Sequence, residues 1–235
     1  MTQPSLPPIF HALPVPGEDP FVRLLRHAGE HGAGTFAWRD EAGCLECVVV
    51  LEPEETTPTA LTVAFAAMLG LGDALGALGP ARMPVLFTWP GGIELNGARV
   101  GRLRVAVGPE TDGVPAWLLA GIELRMHGGP DDAEPGRHPE STTLFEEGFG
   151  AVTSTDLLES YARHLLHWIS RWQDEGFAVV RKHWLDRWAE RGTRVVGNPG
   201  GRTYDGIAAD VDAYGALVLS DGSAVPLRTA LSTGE

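Results

Sequence analysis

The chain has 235 residues, long enough for one large hydrophobic core with or without a small additional unit. Its 18 basic and 31 acidic residues give a formal net charge of −13, which argues against a general nucleic-acid-binding or anionic-membrane-binding surface. The hydrophobic content of 43% and the charged content of 21% are ordinary for a soluble globular protein.

The N-terminal part predicts a leader followed by a short helix. Residues 1–17 are rich in proline, which favours an extended or poorly ordered segment. They contain neither a basic start nor an apolar run, so we expect a cytoplasmic protein without a membrane partner. Asp19 and Pro20 predict the start of a helix, and Gly29 or Gly32 predicts its end.

The next stretch predicts a turn, a buried strand and an apolar helix. A Gly-Ala-Gly turn at 32–34 leads to Trp38 and Arg39, and residues 44–51 have the apolar composition of a buried strand. A helix is predicted from Thr57 or Thr59 to about Gly76, with small residues that indicate close packing on a sheet or another helix.

Cys44 and Cys47 are the only cysteines, and they form a C-x-x-C motif. A strand places these two side chains on opposite faces, which is unfavourable for a shared metal ion or a disulfide. We therefore interpret them as free cysteines and expect no bound metal, with a metal or redox role as the less favoured alternative.

A β-hairpin is the strongest local prediction in the chain. Asn96-Gly97 is typical of a two-residue type I′ turn, and residues 93–95 and 100–107 alternate apolar and polar side chains as its arms. Strict alternation places Arg102 and Arg104 on one face and Arg99 on the other, unless a bulge near residue 101 changes the register. The residues that precede the hairpin break the strand and let the backbone approach a ligand: Trp89, Pro90, Gly91 and Gly92.

The second half predicts one more strand, two helices and a β-rich tail. Residues 116–126 read as a strand, and apolar stripes predict helices from Thr155 to Gly176 and from Phe177 to about Arg191. Residues 127–139 are predicted to form a surface loop. After Gly192, short strands alternate with Gly, Asn and Asp turns, which predicts a small β unit that packs on the larger part.

These motifs together resemble the biotin/lipoate protein ligase family. The order W-P, strand, N-G, basic residue, G, strand is similar to the family's K-W-P-N-D and N-G-K-K-x-x-G-I-L segments, and Gly121-Ile122 is similar to its G-I-G-I-N strand. The tail pattern G-I-A-x-x-V-D-x-x-G-A-L-x-L is similar to the SH3-like barrel of bacterial biotin ligases.

The resemblance implies an α+β fold, in which helices flank a mixed sheet of the class II aminoacyl-tRNA synthetase type and a small SH3-like β-barrel follows. It implies a catalytic-type domain at 1–191 and a C-terminal β domain at 192–235. It further implies binding of a small acyl acid such as biotin or lipoate, ATP with Mg²⁺, formation of an acyl-adenylate, and transfer to a lysine of a carrier domain.

The resemblance also assigns residue roles. Arg99 stands where the family has the lysine associated with the adenylate, and it is the candidate catalytic residue. The candidate residues for substrate or nucleotide binding are Trp38, Arg39, Trp89, Pro90, Gly91, Gly92, Asn96, Gly101, Arg102 and Gly121.

The chain departs from the family pattern at several positions. Thr88 replaces the lysine of K-W-P-N-D, Glu123 replaces an asparagine, and the arginines of the family's G-R-G-R loop are absent. Either Arg39, Arg99 and Arg102 take over the electrostatic role, or the site binds without catalysing. Two alternatives therefore remain open: an inactive relative that binds a ligand or a carrier protein, and a structural or regulatory homodimer.

Overall fold

The computed structural model describes residues 3–128, 140–198 and 203–231. Its centre is a seven-stranded mixed sheet with the order β1-β2-β3-β9-β6-β5-β4. The strands are β1 His11–Pro14, β2 Thr35–Glu41, β3 Cys44–Leu51, β4 Val85–Thr88, β5 Gly92–Leu95, β6 Ala98–Val107 and β9 Leu118–Arg125, with a separate ribbon of β7 Glu110–Thr111 and β8 Val114–Pro115. β1 runs parallel to β2, and the other neighbours are antiparallel.

Helices cover the two faces of this sheet unequally. The helices are α1 Pro20–His27, α2 Thr57–Ala60, α3 Val63–Leu78, α4 Ser154–Glu175, α5 Phe177–Leu185 and α6 Leu227–Leu231. The main core forms where α3, α4 and α5 pack on one side, which we call the helix face. A smaller core forms where α1 packs on the other side, the α1 face. The predicted mixed sheet flanked by helices is confirmed.

Residue alternation along β3 explains how one strand serves both cores. Cys47 and Val49 are buried on the helix face, whereas Val48 and Val50 are buried on the α1 face. Cys44 is half-buried and Cys47 is buried, and both are free. The prediction that the two cysteines lie on opposite faces is confirmed.

The α2–α3 segment is a core element. By length and composition, Thr57–Leu78 could cross a membrane, but 78% of its most apolar window is buried inside the protein. A Cβ atom at Gly70 would lie 2.9 Å from the backbone of Leu165, so α3 and α4 are in close backbone contact. This contact confirms the close packing that the small residues predict.

Two helix boundaries differ from the sequence prediction. The leader, predicted to be extended or poorly ordered, contains the strand β1, which pairs with β2. α4 begins after Thr153, where Thr153 and Asp156 form a reciprocal capping box, rather than at Thr155. α5 ends at Leu185, before Arg191, because the chain then pairs with the edge strand β4: the Phe87 N–H donates to the Arg187 carbonyl.

The C-terminal part forms a four-stranded sheet with the order β10-β11-β12-β13. Its strands are β10 Arg194–Gly197, β11 Tyr204–Val211, β12 Leu217–Leu219 and β13 Ala224–Val225. Within the described residues this sheet is open, so the expectation of a closed SH3-like barrel is corrected. β13 has only two residues, and Pro226, which lacks an N–H, follows it before the chain turns into α6. The domain boundary at 191/192 stays a prediction.

Candidate functional site

The hairpin of β5 and β6 has the predicted turn and an additional bulge. Asn96 and Gly97 have φ angles of 52° and 83°, as a type I′ turn requires. Ile93 pairs with Gly101 and Glu94 pairs with Arg99, which leaves Val100 as an extra, fully buried residue. The bulge resets the alternation, so that Arg99 borders the same cavity as Arg102 and Arg104.

This cavity, of about 170 Å³, lies where β6 continues beyond the N-terminal end of β5. The W-P-G-G turn closes one side, and the end of α6 closes another. Its principal lining residues are Phe21, Trp89, Pro90, Gly91, Gly92, Arg99, Arg102, Leu103, Arg104, Ala230 and Leu231. An ion pair of 2.8 Å between Arg228 and Glu110 helps to hold α6 in place.

Trp89 joins the turn to the C-terminal sheet. Its indole N–H donates to the Gly215 carbonyl at 2.9 Å, and its ring packs edge-on against Tyr204 at 6.3 Å. Its backbone N–H donates to the Glu190 carboxylate at 2.8 Å. The side chain is only 6% exposed, so Trp89 is largely committed to contacts within the chain.

Next to the cavity, four charged residues form a row across the α1 face, which we call the charged row: Arg39, Glu46, Glu123 and Arg102. Each is directly opposite the next on neighbouring strands β2, β3, β9 and β6. Arg39 is paired with Glu46, and Arg102 donates twice to Glu123 at 2.9 Å. The row therefore presents two adjacent carboxylates between two guanidinium groups.

Burial and neighbouring charges set the protonation of this face. Burial, with smaller contributions from the charges of Asp19 and Glu123, raises the pKa of Glu46 in spite of Arg39. Burial, together with the charges of Glu123 and Glu46, raises the pKa of the Cys44 thiol. Cys44 is therefore kept protonated at neutral pH, which makes it a poor nucleophile.

A second ion pair ties the hairpin to α1. Arg104 contacts Asp19 at 2.6 Å, and its guanidinium lies 4.3 Å from the centre of the Phe21 ring. Asp19 also accepts hydrogen bonds from the backbone N–H groups of Phe21 and Val22, so it caps α1 as predicted.

The arginines around the cavity thus differ in their partners. Arg39, Arg102 and Arg104 are each paired with a carboxylate of the chain. Arg99 is exposed, and within the described residues its guanidinium has no hydrogen bond or ion pair. Arg99 is therefore the cation most available to an external anion.

The glycines near the cavity are close to the chain's own atoms. A Cβ at Gly92 would lie 2.0 Å from the Thr88 hydroxyl oxygen, and one at Gly91 would lie 3.1 Å from Leu103. At Gly121 the neighbour is the Phe21 ring at 2.8 Å. The role of these glycines in ligand approach stays a prediction.

The structure brings most, but not all, of the predicted site residues together. Trp89, Pro90, Gly91, Gly92, Arg99 and Arg102 line the cavity, and Arg39, Gly101 and Gly121 lie on neighbouring positions of the same sheet. Trp38 is buried in the helix-face core, and Asn96 is at the exposed tip of the hairpin, so neither borders the cavity.

Several residues at the site were missed from sequence. Asp19, Phe21 and Arg104 become neighbours only through the packing of α1 on β6, across 85 residues of chain between Asp19 and Arg104. Ala230 and Leu231 reach the cavity from the other end of the chain. No local signal in the sequence links these segments. Within the described ranges, no group of three or more metal-binding side chains is present.

We expect Asp19→Asn to weaken folding in a pH-dependent way. Burial by itself raises the pKa of Asp19, but Arg104 and the two backbone N–H groups outweigh it and hold the pKa below 3.8. The stabilisation is therefore present above that pH and is lost as pH falls through the lowered pKa. Asparagine still caps the helix, so the variant should lose about 1–2 kcal/mol near pH 7.

Urea unfolding of wild type and Asp19→Asn at several pH values tests this expectation. The difference in unfolding free energy should shrink as the pH falls below the ordinary aspartate value. A difference that is constant with pH would contradict an ionic contribution from Asp19.

Comparisons with known proteins agree with one another. The model of the "Biotin/lipoate A/B protein ligase family" matches residues 6–196. A biotin--[acetyl-CoA-carboxylase] ligase of Paracoccus denitrificans is 33% identical over 185 residues, which cover 77% of this chain and 76% of the relative.

Two solved structures illustrate the range of structural similarity. A biotin protein ligase-like protein of unknown function from Silicibacter sp. is 31% identical, with a TM-score of 0.86 and coverage of 97% of this chain and 99% of that one. The biotin protein ligase of Aquifex aeolicus, in a complex with biotin and ATP, is 15% identical, with a TM-score of 0.72 over 92% of this chain and 95% of that one. The second similarity concerns the fold alone.

Proposed function

Because the chain belongs to the biotin/lipoate A/B protein ligase family, we propose that it binds a small acyl carboxylate and ATP and activates the acyl group for transfer to a carrier-protein lysine. The observation that carries this proposal is Arg99, an exposed guanidinium that lies beside the cavity under the W-P-G-G turn and has no ion pair among the described residues. The 33% identity to a biotin ligase supports the same reaction class.

The proposed chemistry has two steps. A carboxylate oxygen of the acyl acid attacks the α-phosphorus of ATP, so that a new P–O bond forms and pyrophosphate leaves. The lysine amine of the carrier then attacks the acyl carbonyl, and AMP leaves. Arg99 would stabilise the negative charge shared by the carboxylate and the phosphate, because a planar guanidinium donates two parallel hydrogen bonds to such groups. Mg²⁺ would enter with the nucleotide as part of the substrate.

The charged row favours biotin over lipoate as the acid. A cyclic urea presents two N–H donors and one carbonyl acceptor. The adjacent carboxylates of Glu46 and Glu123 can accept such N–H groups, and Arg39 or Arg102 can donate to the carbonyl. The dithiolane ring of lipoate has no N–H donors for Glu46 and Glu123, so lipoate would gain no such hydrogen bonds from the charged row.

The remaining parts of the proposal follow the sequence analysis. Residues 1–191 would form the ligase-like domain, and 192–235 would form a C-terminal domain that supports it through the Trp89 contact with Gly215. The partner would be a cytoplasmic biotinyl or lipoyl carrier domain.

One observation favours the alternative of a binding module without catalysis. Arg39, Arg102 and Arg104 are neutralised by carboxylates of the chain itself, and Thr88 stands in place of a cation. If Arg99, the available guanidinium among the described residues, acts alone, the site would bind an acid but provide a weaker electrostatic clamp. In that case biotin would bind without release of pyrophosphate.

Arg99→Ala should lower the rate of biotin-dependent pyrophosphate release about 100-fold, as expected for loss of one group that stabilises the transition state. The measurement is pyrophosphate release with biotin, lipoate or octanoate in the presence of Mg·ATP, with calorimetry for binding. Arg163→Ala is a matched control, because Arg163 is an exposed arginine on α4 outside the cavity.

The outcomes separate the candidate functions. Pyrophosphate release that depends on Arg99 supports the ligase reaction. Biotin binding without release supports the binding module. If none of the three acids binds or causes pyrophosphate release, both candidate functions are contradicted.

A further inference from the structure

A second cavity, of about 330 Å³, lies on the helix face between the sheet and α4. Its walls are mainly apolar and come from five segments of the chain. The chief wall residues are Phe10, Leu51, Val63, Leu118, Ile169 and Trp172.

The rim of this cavity is acidic. Glu52, Glu54 and Glu55 border it on the loop between β3 and α2. Glu52 accepts a hydrogen bond from the Ala33 N–H, whereas Glu54 and Glu55 have no ion pair within the described residues. Among the described residues that line the cavity, none is arginine, lysine or histidine.

An exposed apolar side chain lies at the mouth of this cavity, beside the acidic rim. Ile9 borders the cavity and is 58% exposed, one of the more exposed large hydrophobic residues. Ile9 therefore extends the apolar lining of this open cavity to its mouth.

The cavity is separate from the site at the hairpin. Leu51, on its wall, is five residues along β3 from Glu46 of the charged row, which corresponds to about 17 Å of strand. The five-residue separation also places the two side chains on opposite faces of the sheet. A ligand here would not compete directly with an acid at Arg99.

We propose that this cavity is a second binding site, for a small molecule with an apolar body and a single cationic nitrogen. The apolar walls would bury the body, and Glu54 and Glu55 would attract the cation at the mouth. An anionic ligand of the same shape would be disfavoured, because it would meet three carboxylates and, among the described lining residues, no compensating cation. This inference is independent of the proposed ligase reaction.

Hexylamine, hexanol and hexanoate test the proposal, because they share an apolar chain and differ in charge. The full-length protein is titrated with each compound, and binding is measured by calorimetry and two-dimensional NMR. Hexylamine should bind about threefold to fivefold more tightly than hexanol, and hexanoate should bind most weakly. The NMR shifts should cluster around Trp172 and Ile9.

Two variants and a control test whether binding occurs in this cavity and whether Glu54 and Glu55 cause the preference for the amine. The double variant Glu54→Gln/Glu55→Gln should remove the preference for the amine while leaving hexanol binding unchanged. Ser170→Trp, at an exposed position on the cavity wall, should block all binding. The control Asp174→Asn/Asp186→Asn removes the same charge outside the cavity and should change nothing.

The proposal is overturned by equal affinity for the three probes, by a preference that survives the double variant, or by shifts that map elsewhere. Lack of saturable hexylamine binding up to about 10 mM would also overturn it.

Discussion

Trp89→Ala should lower the free energy of unfolding by about 3–5 kcal/mol, the usual cost of truncating a buried tryptophan. The change removes the ring that packs against Tyr204 of β11 and the donor to the Gly215 carbonyl in the turn between β11 and β12. It also removes one wall of the hairpin cavity, so biotin binding should be lost even where the variant is folded. Urea unfolding and calorimetry measure the two effects.

Trp89→Phe separates packing from hydrogen bonding at this position. It keeps an aromatic ring but leaves the Gly215 carbonyl without its donor, which should cost about 1–3 kcal/mol. If Trp89→Ala unfolds at the same urea concentration as wild type, then the two parts of the chain are not coupled through this side chain.

Gly101→Ala should destabilise the protein by at least about 3 kcal/mol, because the shortest clash of the new atom is with a backbone oxygen, which cannot rotate away as a side chain can. Its Cβ would lie 2.3 Å from the Glu123 carbonyl oxygen and 2.6 Å from a methyl group of Leu124. Relief of the clash requires β6 and β9 to separate, which would also disturb the pairing of Arg102 with Glu123. Urea unfolding is again the measurement.

Gly76→Ala is the matched control, since it adds the same atom to α3 with nothing within 4 Å. It should raise the free energy of unfolding by about 0.5–1 kcal/mol, because alanine favours helix over glycine. Equal effects of the two substitutions would show that the clash at β6 is not the cause.

The elements of the fold were predictable where local chemistry determines them. Asn96-Gly97 defines its own turn, and Asp19 caps α1 at the predicted place. The order of strands and helices along the chain was predicted from hydrophobic patterns, and the family resemblance added the mixed sheet. The C-terminal barrel was not predicted correctly, because closure depends on pairing between distant strands that the sequence pattern does not specify.

The site was less predictable, because it depends on register and packing. A single extra residue, Val100, decides which side of β6 Arg99 faces, and Gly101 in the strand permits a bulge without requiring one, so both registers were open from sequence. The charged row depends on how β3 pairs with β9. Arginines that the sequence suggests for anion binding, such as Arg102, are instead paired with carboxylates of the chain. Such pairing is a property of the folded sheet.

The ion pairs of the charged row should also influence which residues change together during the evolution of the family. Loss of the carboxylate alone leaves an unpaired, partly buried guanidinium, which destabilises the protein more than the loss of both partners together. Relatives that lack Glu123 should therefore lack Arg102 as well, and Arg39 should be inherited together with Glu46. Frequent single losses in an alignment of relatives would mean that selection does not act on these pairs as units.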